Sequence, residues 1–140
     1  MRVLAAPDKF RGSLTALEVT SAIKKAVEKS GWIPTGAPLA DGGEGTLEVL
    51  GGANRTTTVT GPSGTPVEAE WRLADRTAVI EVARVSGLAL AGGPESNNPL
   101  EATSKGTGEL IRYALEKGAE RIIVGLGGSA STDGGLGALK

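Results

Sequence analysis

Residues 120–135 read ERIIVGLGGSASTDGG, an apolar run that opens directly into a loop rich in glycine, serine and threonine. The run Ile122–Val124 is typical of a strand in a parallel sheet, where strands are buried on both faces. Glycine lets backbone N–H groups converge on an anion, and a helix after the loop would add its positive end. The segment therefore predicts an α/β fold in which the loop Gly125–Gly135 binds phosphate.

Other interpretations of this loop stay open. A tight turn without a ligand would also explain the glycines. The order Gly125-x-Gly127-x-x-Ala130 satisfies the dinucleotide fingerprint, but the acidic residue that confirms it, about 20 positions later, would lie beyond Lys140. A nucleotide-dependent oxidoreductase is thus permitted but unsupported, and no Walker A sequence occurs.

Asp133 is the acidic residue of the loop. A carboxylate in this place could hold a magnesium ion or accept the hydroxyl proton of a substrate, and phosphoryl transfer requires both roles. Asp133 is therefore a candidate catalytic residue and a candidate metal ligand.

The first sixty residues have the pattern of strand, loop and helix twice over. Arg2–Ala6 predicts a short buried strand, and Thr15 with Glu18 forms a capping box at the start of a helix that ends near Gly31. Ala37–Ala40 predicts a second strand, followed by a short helix around Leu47 to Leu50. This alternation favours α/β architecture.

The middle of the chain changes character. Residues 56–60, 67–73 and 77–82 predict an antiparallel meander. One face of this sheet should be exposed to solvent, because the outward-facing residues of the strands are charged. We place a domain boundary near Gly61, so that residues 1–60 begin a first α/β domain and residues 61–140 begin a second. A further helix is predicted from Ser104 to Gly118.

Three more loops could carry chemistry. Asp41–Thr46 has two carboxylates among glycines, which suits metal or hydroxyl binding, although helix capping would also explain both acids. In Asp8–Ser13, Lys9 and Arg11 could meet a carboxylate or a phosphate; a solvated loop is the alternative. The glycines of Ser104–Glu109 indicate a close approach, by a ligand or by packing against a neighbouring loop.

Composition excludes several classes of function. The 140 residues include 15 Lys and Arg against 16 Asp and Glu, which supplies no electrostatic case for binding nucleic acid or an anionic membrane. There is no cysteine and no histidine, so thiolate chemistry and a histidine base are excluded. No signal sequence or membrane span is evident, and we expect a cytoplasmic protein.

Four glycine-rich segments in this order resemble the type I glycerate kinase family. The matching segments are Ala6–Leu14, Ala40–Thr46, Thr103–Ile111 and Gly127–Gly135. Two departures accompany the resemblance. Arg11 stands where the family usually has lysine, and Ser131-Thr132 stands where it usually has Thr-Asn.

The resemblance implies a two-domain kinase with flavodoxin-like or Rossmann-like parallel sheet elements and an active site in the cleft between domains. The implied reaction uses ATP and Mg²⁺ to phosphorylate D-glycerate to 2-phosphoglycerate, or to 3-phosphoglycerate. Asp41 and Asp133 become the catalytic candidates, and Asp133 is also the candidate ligand of Mg²⁺. The candidates for binding substrate or phosphate are Asp8, Lys9, Arg11, Ser13, Gly42, Gly43, Glu44, Ser104, Lys105, Thr107, Gly127, Gly128, Ser129, Ser131, Thr132 and Gly134.

The sequence leaves the assembly and the completeness of the enzyme open. We expect a truncated chain, because the helix that should follow the glycine loop has barely begun. We also expect no turnover by this chain alone, because half of the cleft would be missing. Self-association into a homo-oligomer is compatible with the sequence. The rival hypothesis is a non-catalytic module that binds a phosphate or a sugar acid.

Overall fold

The computed structural model describes residues 1–140, whose contacts group them into two compact units, Met1–Asp41 and Gly42–Lys140. The chain is a mixed α/β protein with parallel and antiparallel sheets, which confirms the predicted fold class. The units divide after Asp41, and the strands on either side of Gly61 pair with each other in one sheet. The division into domains 1–60 and 61–140 stays a prediction.

The first unit consists of β1 (Arg2–Ala5), α1 (Ala16–Lys29) and β2 (Ile33–Gly36). The two strands are parallel, with Arg2 opposite Ile33. The predicted capping box opens α1: Thr15 Oγ1 accepts the Glu18 N–H at 3.2 Å, and Glu18 Oε2 accepts the Thr15 N–H at 2.8 Å. Gly31 follows the helix with a φ of 74°, the left-handed conformation expected at a helix end.

Two expectations for this unit were wrong. The second strand is Ile33–Gly36 rather than Ala37–Ala40, and Pro34 is tolerated because an edge strand can leave an N–H position unpaired. In β1 only Ala5 is buried, because one helix packs on a sheet of two strands and no second layer of this unit covers the other face.

The second unit contains a four-stranded sheet and two α-helices. Its elements are α2 (Thr46–Val49), β3 (Arg55–Thr60), β4 (Pro66–Ala74), β5 (Thr77–Glu81), a 3₁₀ turn (Val82–Arg84), α3 (Lys105–Glu116) and β6 (Arg121–Gly125). The predicted meander β3-β4-β5 is confirmed, and β6 extends it in parallel with β5. The result is one mixed sheet in the order β3-β4-β5-β6.

The core of the second unit lies between this sheet and α3. Trp71, Ile80 and Leu110 are fully buried there. The indole N–H of Trp71 donates to Thr57 Oγ1 at 3.0 Å, so its one polar atom is satisfied. The other face of β4 presents Glu68 and Glu70, as the alternating pattern predicted. No helix of the structure has both the length and the apolar character that crossing a bilayer requires.

The strand β6 is less buried than its sequence predicted. It lies at the edge of the sheet, and Ile123 keeps 39% of its surface exposed. An edge strand has a neighbour on one side only, so an apolar run there does not guarantee burial.

Candidate functional site

In the first unit, Lys9 is held between two carboxylates. Its Nζ lies 2.8 Å from Asp41 Oδ1 and 4.0 Å from Asp8 Oδ1. The hydrogen bond to Asp41 raises the pKa of Lys9 above its ordinary value, and the charge of Asp41 adds to the effect. The side chain of Lys9 is only 18% exposed, while that of Asp41 is 58% exposed. The structure therefore brings together three of the predicted site residues as a charged cluster.

The rest of the Asp8–Ser13 loop is a turn. The Ser13 N–H donates to the Phe10 carbonyl at 2.9 Å, and Phe10 pairs with Leu14 across the turn. Arg11 and Ser13 are exposed. Their predicted contact with substrate stays a prediction.

In the second unit, two glycine segments pack backbone against backbone. The Gly127 N–H donates to the Gly42 carbonyl at 2.8 Å. A Cβ on Gly127 would lie 2.5 Å from the Gly43 Cα, and one on Gly125 would lie 2.6 Å from the Gly42 oxygen. These glycines are required by close packing of one loop on the other. The predicted loops of Gly42 and Gly127 are thus neighbours.

The next residues of the glycine loop pair with the segment Ser86–Leu88. The Leu88 N–H donates to the Gly128 carbonyl at 2.8 Å, and the Ala130 N–H donates to the Ser86 carbonyl at 2.9 Å. Ser129 lies at the centre of this pairing, and its side chain is exposed. Gly128 has a φ of 73°, so the chain turns there into the paired segment.

Two hydroxyl groups that we expected to bind phosphate have partners within the protein. Ser131 Oγ donates to Asp133 Oδ1 at 3.2 Å, and Thr132 Oγ1 donates to the Pro99 carbonyl at 3.0 Å. Gly134 is exposed and has a φ of 62°. The hydroxyls of Ser131 and Thr132 therefore hold the shape of the loop, and their phosphate contacts stay predictions.

Asp133 receives five hydrogen bonds. Its Oδ2 accepts from the Ser104 N–H at 2.9 Å, from Ser104 Oγ at 2.8 Å and from the Gly137 N–H at 3.2 Å. Its Oδ1 accepts from Ser131 Oγ and, at 3.0 Å, from the Gly135 N–H. Desolvation raises the pKa of Asp133, but the hydrogen bonds from Ser104, Gly135 and Ser131 together outweigh it and lower the pKa to about 2.

The segment at the start of α3 is tied to the protein itself. Ser104 donates to Asp133 as described, and Thr107 Oγ1 lies 3.0 Å from Ser86 Oγ in a buried pair. Lys105 is exposed and pairs with Glu109 at 3.5 Å. Packing accounts for these residues, and their contact with a substrate stays a prediction.

Glu44 lies on a cavity of about 410 Å³ in the second unit. Three further carboxylates, from Glu68, Glu70 and Glu81, line it together with Arg84. An excess of negative charge disfavours phosphate or glycerate there. No residue of Gly127–Gly135 lines this cavity. The geometry therefore gives Glu44 no anion-binding role in it.

Arg84 forms ion pairs with several carboxylates around this cavity, and no sequence pattern predicted it. Its guanidinium contacts Glu48, Glu70 and Glu81. Glu81 is 1% exposed, and its Oε2 accepts the Leu47 N–H at 2.9 Å. Glu70 and Glu48 lie 14 and 36 positions from Arg84 in the sequence, so no local pattern predicts that they form a cluster.

The chain does not assemble a metal site from its own side chains. No group of three or more acidic side chains is placed to hold a metal ion. Both oxygens of Asp133 already accept N–H and O–H donors. Asp133, the predicted magnesium ligand, therefore fits a magnesium ion poorly.

Comparison with known proteins points to one family. The family model described as "Glycerate kinase family" matches residues 3–140. The chain is 46% identical, over its whole length, to glycerate 2-kinase of Escherichia coli K12 and also 46% identical to glycerate kinase of Bacillus subtilis 168. It spans 39% and 38% of the length of these two relatives.

A solved structure agrees. A crystal structure of a candidate glycerate kinase 2 from Salmonella typhimurium LT2 superposes with a TM-score of 0.77 at 44% identity, covering 99% of this chain and 39% of that one. A family match over nearly every residue, supported by similarity in sequence and in structure, shows that this chain belongs to the glycerate kinase family.

Proposed function

We propose that this chain is part of an ATP-dependent kinase that transfers the γ-phosphoryl group to a hydroxyl of D-glycerate, giving 2-phosphoglycerate or 3-phosphoglycerate. The observation that carries the proposal is the family match over residues 3–140. The names of the relatives from Escherichia coli and Bacillus subtilis support it. ATP as donor and D-glycerate as acceptor are parts of this proposal.

The chemistry of such a reaction suits the groups in the chain. Phosphoryl transfer depends on positioning the reactants and neutralising charge, and it needs little covalent participation by the protein. The absence of histidine and cysteine from residues 1–140 is therefore compatible with a part in this reaction. Backbone N–H groups and cationic side chains can supply what the transition state requires.

For the second unit, we propose that the main chain of Gly127–Ser129 meets a phosphate group. Its support is the glycine-rich backbone, which presents no side chain before Ser129. The Gly127 N–H donates to the Gly42 carbonyl, so the donors to phosphate would be the N–H groups of Gly128 and Ser129. The exposed hydroxyl of Ser129 adds a donor at the same place. Ser131 and Thr132 would act by fixing the loop rather than by touching the ligand.

For the first unit, we propose that Lys9 and Arg11 meet the carboxylate of glycerate or a phosphate oxygen. Asp41 holds the ammonium of Lys9 at 2.8 Å and keeps it charged. Asp41 also exposes its carboxylate, so of the two aspartates nominated by the sequence we assign to Asp41 the orientation of the attacking hydroxyl.

Magnesium has a limited place in this proposal. Mg²⁺ commonly reaches a kinase bound to the phosphates of ATP and takes one or two carboxylates from the protein. The five hydrogen bonds that Asp133 accepts from the protein argue against its use as a ligand.

The experiment is an assay of D-glycerate-dependent ADP release by a chain of the relatives' length that carries residues 1–140. We expect turnover with D-glycerate, and Lys9→Ala should lower kcat/KM about 100-fold or more, because a charged donor to the substrate is lost. Lys25→Ala, an exposed lysine on α1, is the matched control and should retain activity.

Two results would oppose the proposal. Binding of glycerate without ADP release would favour the non-catalytic module. A thermal shift produced by NAD and not by ATP would favour an oxidoreductase.

A further inference from the structure

The carboxylate of Asp133 is saturated by donors of the protein itself. A carboxylate offers about four lone-pair positions, and this one accepts five hydrogen bonds, from Ser104, Ser131, Gly135 and Gly137. To take a proton from a substrate or to bind a cation, Asp133 would have to release bonds that hold two segments of chain. Asp133 and its donors Ser104, Ser131, Gly135 and Gly137 therefore form a structural link, which we call the anchor.

The anchor joins the start of α3 to the turn that follows Asp133. Ser104 has no capping bond of its own, and Asp133 accepts its N–H in place of a local side chain. The Ser104 hydroxyl completes the link: it donates to Asp133 and accepts the Ala138 N–H at 3.1 Å. A single carboxylate thus fixes a helix end and a turn that lie 29 residues apart.

Glycines make this approach possible. A Cβ on Gly137 would lie 2.6 Å from Thr103 Oγ1 and 2.7 Å from Asp133 Oδ2. A Cβ on Gly108, in the first turn of α3, would lie 2.1 Å from the Ala138 oxygen. Any larger residue at either position would push the turn away from the helix.

The anchor is continuous with the glycine loop. Ser131 binds Asp133, and the preceding Ala130 N–H is bonded to Ser86. The Ala130 carbonyl accepts from the side chain of Asn97 at 2.8 Å. Asp133 is therefore one of the contacts, together with Ser86 and Asn97, that fix the path of the chain after Gly127–Ser129.

We propose that Asp133 is a positioning residue: its carboxylate joins the start of α3 to the turn 135–138 and thereby holds the backbone of Gly127–Ser129 in place for the phosphate, without touching the substrate. The inference rests on the proposed function, because the segment it positions is the one assigned to phosphate binding. It replaces the catalytic role for Asp133 by an indirect one.

The first measurement concerns structure alone and uses a chain of the relatives' length that carries residues 1–140. Amide hydrogen exchange of Gly135, Gly137 and Ala138 is followed by NMR in the wild type, in Asp133→Asn and in Glu101→Gln, an exposed control. We expect exchange in Asp133→Asn to be about tenfold faster or more, since a charged acceptor is lost. Unchanged exchange rates at these three amides in Asp133→Asn would contradict the proposal that Asp133 holds the turn.

The second measurement concerns the reaction and uses the chain of the relatives' length. Asp133→Asn and Ser104→Ala should each lower kcat by about 10-fold to 100-fold, as small displacements from the reacting geometry do. The double variant should lower kcat by less than the product of the two single effects, because Asp133 and the Ser104 hydroxyl hold the same turn. The pH dependence of kcat should keep its shape in all three variants.

A direct catalytic role predicts different results. Asp133→Asn would then abolish a limb of the pH profile, while Ser104→Ala would have little effect and the two effects would multiply. If the wild type has no glycerate kinase activity, the proposed function fails, and the exchange measurement still decides whether Asp133 is an anchor.

Discussion

Three carboxylates of the second unit, those of Glu81, Glu109 and Asp133, accept hydrogen bonds from main-chain N–H groups that lie far from them in the sequence. Glu109 Oε2 accepts the Thr60 N–H at 2.7 Å, and its Oε1 accepts the Thr60 hydroxyl at 2.9 Å. The backbone hydrogen bond from Thr60 lowers the pKa of Glu109 despite the opposing effect of desolvation. Glu109 thereby fastens α3 to the end of β3.

Replacing Glu109 by glutamine should destabilise the second unit at neutral pH by about 1–2 kcal/mol, because a charge-assisted acceptor is lost. The folded-state pKa of Glu109 is depressed, so its contribution is fully present above its ordinary pKa of 4.5 and is lost as the pH falls through the lowered value. The difference between wild type and Glu109→Gln should therefore shrink on acidification. Urea unfolding at several pH values measures it.

The matched control for this measurement is Glu116→Gln on the same helix. Glu116 is 64% exposed and approaches Arg112 only to 4.0 Å, so its loss should cost less than about 0.5 kcal/mol. An equal cost for the two variants, or a cost for Glu109→Gln that does not change with pH, would contradict the assignment.

Residue roles could be predicted from the sequence only where the partners are close together along the chain. Thr15 and Glu18 lie three positions apart, and their capping box is present as expected. Asp133 and Ser104 lie 29 positions apart, so no local pattern indicated that this carboxylate of the glycine loop accepts hydrogen bonds from the start of α3. Tertiary contact, rather than local pattern, decides the partner of a buried or half-buried carboxylate.

At the scale of the elements, glycine acts mainly by permitting close packing. In the first turn of α3, a Cβ on Gly106 would lie 1.8 Å from the Thr60 carbonyl oxygen. The backbone of the helix therefore approaches β3 as closely as a glycine allows. The packing interpretation of the glycines in Ser104–Glu109 is the one that the structure supports.

The variant Gly106→Ala tests this packing, because the two effects of the substitution have opposite signs. Alanine in a helix is intrinsically better than glycine by about 1 kcal/mol. Here the added methyl group would clash with backbone and should cost about 1–3 kcal/mol. We expect net destabilisation and a lower melting temperature.

Arg112→Ala, at a position of α3 that is 77% exposed, is the control and should change stability by less than about 0.5 kcal/mol. Stabilisation by Gly106→Ala would show that α3 does not press on β3 in solution.

The elements themselves were predictable to the extent that their patterns are strong and local. The meander β3-β4-β5 and the helices α1 and α3 follow from alternation and capping signals. The strand β2 was misplaced by four residues, because its proline and its exposure hide the strand pattern. The parallel pairing of β5 with β6 joins residues more than forty positions apart, a register that local signals do not determine.

At the scale of the whole chain, the family match covers both compact units, although the chain spans only about 39% of the length of the relatives it matches. The first unit holds the charged side chains around Lys9, and the second unit holds the glycine backbone around Gly127. The balance of charge over the chain, 15 cationic against 16 acidic residues, means that any anion must be bound locally.

The most direct test of the kinase proposal is ³¹P NMR of D-glycerate incubated with ATP, Mg²⁺ and a chain of the relatives' length that carries residues 1–140. We predict a new phosphomonoester signal that grows as ADP forms. Its splitting identifies the acceptor, since phosphorus couples to one proton in 2-phosphoglycerate and to two in 3-phosphoglycerate. ADP and inorganic phosphate without a phosphomonoester, or no consumption of ATP, would contradict the assignment of this chain to glycerate phosphorylation.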